Sequence, residues 1–235
     1  MHLLCDLDDT LFDHAFAARS ALASVLAADQ AARHWPFSDV EQRHSEILEI
    51  LHAEVVAGRI SIDAARKERF RRLLATFGAT VTPEQAAHWA GAYRRAYQEG
   101  WRPVEGALEL LRAARDAGVP VAVVTNNLRE EQVNKLEYCG MTDLVAALVT
   151  SEETGFSKPA PEIFQEALAR LGATPENAVM LGDGWSTDVE GARASGIWPV
   201  WFNRRGAASP DSTVPEIRSL VPAEQVLSEL LAVTR

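Results

Sequence analysis

The sequence predicts an α/β protein, a parallel sheet with helices on both faces, interrupted by an inserted all-helical cap domain. Three observations carry that prediction. Beyond about residue 100, short apolar runs alternate with helical patterns at the spacing of a parallel sheet. One further apolar run, Leu3-Leu4-Cys5, stands alone near the N-terminus. Between them, from about Asp13 to Gly100, the pattern is helical and no strand is legible. The expected division is a core of residues 1–14 and 100–235 and a helical cap of residues 15–99.

Leu3–Cys5 reads as a buried strand. A first helix is expected over about Phe16–Ala28. Ser38-Asp39-Val40-Glu41 reads as a capping box before a helix through about Val56. Ser61 can start the next helix, and Gly78 fits its stop. Thr82-Pro83-Glu84-Gln85 is a second capping signal, with Pro at the first helical position, for a helix to about Glu99.

The alternating half follows. Helix Ala107–Ala117 is ended by Gly118, strand Val119–Thr125 comes next, and helix Glu130–Cys139 stops at Gly140. Leu148–Thr150 is a short strand, and Pro161–Leu171 a helix before Gly172. Strand Val179–Leu181 leads to helix Asp188–Ala194 and Gly196. Trp198–Phe202 is the last strand, and a final helix lies near Ala223–Leu231. The segment Arg204–Pro222 is rich in Ser, Pro and charge and reads as a surface connection.

Composition narrows the function. A formal charge of −10 and a pI near 5.1 give no broad basic footprint, which argues against a nucleic-acid polymer as partner. A small phosphate ester needs only local donors and stays open. Cys5 and Cys139 are too few for a disulfide framework, so the reducing cytoplasm is expected. No N-terminal signal is read, because the first strand begins at His2. No apolar run approaches the roughly 20 residues that span a membrane.

Four segments carry chemistry. Asp6-Leu7-Asp8-Asp9-Thr10 follows the first strand, placing two carboxylates at one edge of a sheet. Adjacent acids repel, and a divalent cation would relieve that while leaving a nucleophile and an acid/base. The alternative is an acidic turn or helix cap. Val121-Ala122-Val123-Val124-Thr125-Asn126-Asn127 is a buried strand tipped with a hydroxyl and two amides. Ser157-Lys158-Pro159-Ala160-Pro161-Glu162 puts a lysine just before a helix. The only lysines are Lys67, Lys135 and Lys158 in an arginine-rich chain, and Lys158 stands where a compact charge is useful. Ala178-Val179-Met180-Leu181-Gly182-Asp183 runs a fourth strand into an acid, with Asp188 five residues on.

Together, in this order, the four segments resemble the haloacid dehalogenase-like superfamily. Asp6, Asp8 and Thr10 match its Asp-x-Asp-x-Thr motif, Thr125 its second motif, Lys158 its third, and Asp183 with Asp188 its fourth. The resemblance implies a Rossmann-like core with a small helical cap, and magnesium-dependent phosphoryl transfer through an aspartyl-phosphate. Asp6 would attack phosphorus. Asp8 would protonate the leaving alcohol and then activate water. Mg²⁺ would be held by the Asp6 carboxylate, the Asp8 backbone carbonyl and Asp183, with Asp188 one layer behind. Thr125 and the Asn126 amide would donate to phosphate oxygens, and Lys158 would supply positive charge. In the dehalogenases the second acid is typically absent, so Asp8 favours phosphate chemistry. Asp9 stands where Gly is commonest and is given no catalytic role.

The expected function is hydrolysis of a small-molecule phosphate monoester. The second half of the chain, with Ser151–Gly155 and Trp201–Arg204, looks most like the branch of noncanonical pyrimidine nucleotidases and acylneuraminate phosphatases. A nucleoside monophosphate is one substrate this implies. The alternatives are a phosphosugar mutase with the same nucleophile and a silent binding protein that retains the fold. Intact Asp6, Asp8 and Asp183 argue against the last. A phosphonate hydrolase would need a cap lysine, and Lys67 sits among Arg66, Glu68 and Arg69 on a face that reads as solvated. Candidate cap selectors are His14, Phe16, Arg43, Trp89, Tyr93 and Arg94. Helical spacing reads Phe16, Trp89 and Tyr93 as core, and Arg43 and Arg94 read as solvated. His14 lies on the expected hinge. Trp185 either walls the site or packs beneath the cap.

Overall fold

The computed structural model describes residues 1–233. Among these, six parallel strands form one sheet: β1 (His2–Cys5), β2 (Val121–Thr125), β3 (Ala147–Thr150), β4 (Ala178–Gly182), β5 (Trp198–Phe202) and β6 (Glu216–Ile217). Their order is β3-β2-β1-β4-β5-β6. The chain builds outward from β1 to β3, then restarts beside β1 and builds the other way. The order therefore reverses between β1 and β4, and the carboxyl ends of the strands at such a reversal form a ligand crevice.

The helices are α1 (His14–Ala28), α2 (Phe37–Val56), α3 (Ile62–Thr76), α4 (Pro83–Glu99), α5 (Ala107–Asp116), α6 (Arg129–Tyr138), α7 (Ser151–Thr154), α8 (Pro161–Leu171), α9 (Glu190–Ala194) and α10 (Ala223–Ala232). The chain forms two compact units, Met1–Asp13 with Arg102–Arg235, and His14–Trp101. The first is the Rossmann-like sheet with its helices; the second is all-helical.

In the sheet unit, β2 and β4 are buried along their whole length, as strands covered on both faces must be. Leu4 pairs with Ala122 and Met180. Those three and Val124 form one layer with Ile163, Phe164, Ala167 and Leu168 of α8. In the helical unit, Ser61 Oγ caps α3 by accepting from Ala64 N at 3.2 Å. Thr82 and Gln85 close the expected capping box on α4: Gln85 N donates to Thr82 Oγ1 at 3.3 Å and Thr82 N to Gln85 Oε1 at 2.8 Å.

Three expectations need correction. The helix read as starting from a Ser38 capping box already begins at Phe37. Asp39 N and Val40 N both donate to Pro36 O at 3.1 Å, so an extended proline opens the ladder and Ser38 lies inside it. The presumed connection Arg204–Pro222 contains β6, tied to β5 by Trp201 N to Pro215 O (2.9 Å) and Asn203 N to Ile217 O (2.8 Å). Two residues are too few to show alternation. The third concerns the turn after β4, described below.

Phe164 is fully buried, and a Cβ on Gly191 of α9 would lie 2.8 Å from its ring. Phe164→Ala is expected to lower the unfolding free energy by about 3–5 kcal/mol in urea titration. A loss under about 1 kcal/mol would contradict this packing.

Candidate active site

The loop after β1 is a tight turn. Asp6 N still donates to Leu181 O of β4 at 2.9 Å. Thr10, Leu11 and Phe12 then direct their N–H groups to Leu7 O at 3.3, 2.9 and 2.8 Å. Asp9 holds φ 66°, the left-handed region that glycine favours and Asp tolerates. This is the physical reason that a Gly pattern can carry Asp here. Its carboxylate pairs with Arg205 Nη2 (3.1 Å) and Arg204 Nη2 (3.7 Å). Thr10 Oγ1 accepts from Asp183 N at 3.1 Å and joins this loop to the one after β4.

After β4 the sequence predicts an α-helix from Asp188. Instead a wider π turn spans Trp185–Val189, with Val189 N reaching Gly184 O at 3.3 Å. Such turns recur at functional sites. This one folds Asp188 back so that its Oδ2 accepts from Gly184 N at 2.9 Å. Glycine is required at 182 and 184, because a Cβ there would collide with the Asp188 carboxyl or the Thr187 hydroxyl. Trp185 stacks edge-on against Trp201, centroids 5.1 Å apart, in a small apolar cluster with Val189 and Val214.

Lys158 is buried and points inward from the loop before α8. Its Nζ donates to Asp6 Oδ1 at 2.6 Å and to Val124 O of β2 at 2.8 Å. Asp188 Oδ1 lies 2.7 Å from the same nitrogen, so the ammonium pairs with two carboxylates. Asn126 fixes the lysine's backbone. Its Oδ1 accepts from Lys158 N at 2.6 Å, and its Nδ2 donates to Lys158 O at 2.8 Å. Its side-chain amide is thus occupied in holding Lys158. Thr125, also buried, accepts from Gln132 Nε2 at 2.8 Å.

Carboxyl oxygens of Asp6, Asp183 and Asp188 lie within 4.8 Å of one another. Three carboxylates against the single Lys158 ammonium leave a formal surplus of two negative charges. Burial pushes the Asp6 carboxyl well above the usual range. Lys158 pulls it back, and Asp188 and Asp183 push it further. Burial, then Asp188 and Asp9, push Asp183 up to about 7 against Lys158 and Arg205. Burial alone would depress the lysine, but Asp188 and Asp6 hold it well above its ordinary value. An all-oxygen set with surplus negative charge fits a hard divalent cation.

Asp8 turns elsewhere. Its Oδ1 accepts from Lys135 Nζ at 2.6 Å, and its Oδ2 from Gln132 Nε2 at 3.1 Å and Asn127 Nδ2 at 3.3 Å. Lys135 is only 2% exposed. The sequence analysis did not single out Lys135 or Gln132, and it placed Asn127 only as one of two amides at the tip of β2. The scarcity of lysine that marked Lys158 applied equally to Lys135.

In the helical unit, Tyr93 is buried as expected, whereas Phe16 is exposed. Arg43 pairs with Glu46 at 3.0 Å. Arg94 stacks over Tyr97 and Trp101, with its guanidinium 5.8 and 5.6 Å from the ring centres. His14 Nδ1 lies 2.8 Å from Tyr97 Oη. Lys67 is exposed, but its neighbour Arg69 is buried over the Tyr93 ring at 4.8 Å, so that helix is not solvated all round.

A family model described as haloacid dehalogenase-like hydrolase matches residues 1–196. The ribulose-1,5-bisphosphate 5-phosphatase of Halopiger xanaduensis is 33% identical, over 86% of this chain and 84% of that protein. The phosphoserine phosphatase of Thermus thermophilus is 33% identical, over 94% and 98%. The N-acylneuraminate-9-phosphatase of Rattus norvegicus is 27% identical, over 96% and 89%. Among solved structures, the magnesium-bound HAD-hydrolase YfnB of Bacillus subtilis superposes with a TM-score of 0.76 at 27% identity, over 97% and 98%.

The raised Asp183 gives a signed test. Against an unfolded value of 3.8, its contribution to the cation-free protein's stability is full below that pH and lost as pH rises through about 7. Cation binding requires the proton to leave. The rise in melting temperature caused by added Mg²⁺ is therefore expected to be small near pH ~5 and larger near pH ~8 in thermal-shift measurements. A rise independent of pH would contradict the assignment.

Proposed function

The chain belongs to the haloacid dehalogenase-like hydrolases, and on that premise we propose that it is a Mg²⁺-dependent phosphatase of small phosphorylated metabolites working through a phospho-Asp6 intermediate. The observation that carries this reading is the separation of Asp6 and Asp8, two residues apart in sequence, into different environments at the reversal point of the sheet. One faces the lysine and the acid cluster; the other faces a set of neutral and cationic donors. Divergent surroundings for paired carboxylates are how acid, base and nucleophile roles are divided.

Asp6 Oδ attacks phosphorus. Lys158, the Thr125 hydroxyl and the Asn126 main-chain N–H neutralise and orient the phosphoryl oxygens, since positioning and charge stabilisation dominate this chemistry. Asp8 gives a proton to the leaving alcohol and later takes one from the water that cleaves phospho-Asp6. The Asp6 carboxylate, the Asp8 backbone carbonyl and Asp183 would hold Mg²⁺, which when bound would supply charge neutralisation on the transferring group. Asp188 holds Lys158 and the Gly184 turn from behind.

The helical unit is the cap in this reading, and it selects the leaving group. Phosphatase names among the relatives support small phosphorylated metabolites as the substrate class. The acylneuraminate relative supports the branch that also holds pyrimidine nucleotidases. Two buried, unpaired thiols, Cys5 and Cys139, support a reducing compartment such as the cytoplasm.

Phosphate release across nucleoside monophosphates, sugar phosphates, phosphoserine and phosphoglycolate with Mg²⁺ is expected to show turnover that chelator stops. Conversion of a sugar phosphate to its isomer without phosphate release would establish the mutase instead. Asp6→Asn is expected to abolish turnover in a folded protein; substantial residual activity would remove Asp6 as nucleophile. Asp8→Asn is expected to harm alkyl phosphates about 100-fold or more while sparing nitrophenyl phosphate in kcat/KM. Equal losses on both would argue against Asp8 as the general acid.

A further inference from the structure

We propose that Lys135 is a positioning residue for Asp8, fixing the direction in which that carboxyl meets the leaving group; the inference rests on the phosphatase reading. Helix α6 presents Gln132, Lys135 and Leu136 on its buried face, at the i, i+3 and i+4 spacing of one helical side. Two of these three inward residues are polar. Burying an ammonium costs several kcal/mol unless it is well paired. Lys135 is compensated by Asp8 Oδ1 at 2.6 Å and by the face of the Phe12 ring, 4.9 Å from Nζ to its centre. A lysine needed only for packing at this depth would be served better by Met or Leu.

The contacts divide the two oxygens of Asp8. Lys135 pins Oδ1 with the shortest bond. Oδ2 accepts at longer range, from Gln132 Nε2 at 3.1 Å and Asn127 Nδ2 at 3.3 Å. Proton exchange falls to Oδ2, because Oδ1 is the oxygen paired with the ammonium. In the first half-reaction the Asp6 oxygen bonds to phosphorus, the ester P–O bond breaks, and the proton on Oδ2 passes to the departing alcohol oxygen. In the second, water oxygen bonds to phosphorus, the Asp6–phosphorus bond breaks, and the water's proton returns to Oδ2. Gln132 also donates to Thr125 Oγ1, so one helix ties the proton-transfer group to the hydroxyl at the tip of β2.

The test compares Lys135→Met with the unmodified protein on two esters, an alkyl phosphate and nitrophenyl phosphate, with Mg²⁺. For both, kcat/KM reports only the steps through release of the first product. Nitrophenolate leaves without a proton, whereas an alkoxide does not. Lys135→Met is expected to lose about 100-fold in kcat/KM on the alkyl ester and less than a tenth of that loss on the aryl ester. Lys135→Gln, which keeps a donor at the position, is expected to recover part of the alkyl activity. Equal losses on both esters, or none on either, in variants that keep the melting temperature would overturn the inference. If Lys135→Met does not fold, the same comparison on Lys135→Gln decides. Silence of the unmodified protein on both esters would remove the phosphatase reading itself, and the inference with it.

Discussion

Lys158 sits in a buried acid cluster whose negative charge exceeds what one ammonium balances. The site follows from that imbalance. Without Lys158, Asp6 and Asp188 would face each other unscreened at low dielectric, where like charges cannot both persist. With it, the cluster keeps a formal deficit of two positive charges, matched by one divalent cation. The lysine holds its place through Val124 O and through both ends of the Asn126 amide, all at the tip of β2. Those atoms lie beside Asp6 because β2 and β4 flank β1, which is the consequence of the strand order.

The same order separates the two acids of the first motif. Read as an extended strand end, Asp6 and Asp8 would share one edge. The turn closing on Leu7 O sends them apart, and Asp9 in the left-handed region completes it. Asp6 enters the lysine-acid cluster; Asp8 meets α6. A nucleophile and an acid/base need different surroundings, and in the proposed mechanism a few residues of tight turn would provide them.

Much of this was legible in the sequence because three of the four chemical segments end a buried strand, and the fourth, with Lys158, precedes a proline-started helix. Apolar β-branched runs mark β2 and β4, and the residues just beyond them mark the site. The inward face of α6 was not legible as a buried side meeting Asp8, since polar residues at Gln132 and Lys135 weaken the apolar periodicity that identifies such a side. The helix read from Asp188 begins as α-helix only at Glu190, after a π turn over Trp185–Val189 that differs by one residue of hydrogen-bond reach, which composition does not encode. β6 fell below the length at which alternation shows, and α2 took its start from Pro36 rather than from the better-looking Ser38 signal. Arg69, read as solvated from its charged neighbours, packs on Tyr93 because its four-residue spacing from the buried Ala65 and Leu73 puts it on the inner face of α3.

The central claim is that phosphate passes through Asp6. The most direct test is mass analysis of the Asp8→Asn protein, acid-quenched while turning over nitrophenyl phosphate with Mg²⁺. With the aryl group leaving unaided and the base for the water step removed, the account predicts a gain of about 80 Da, one phosphoryl group, on the peptide that contains Asp6. Nitrophenolate release with no phosphorylated peptide, or with the added mass on another residue, would contradict it.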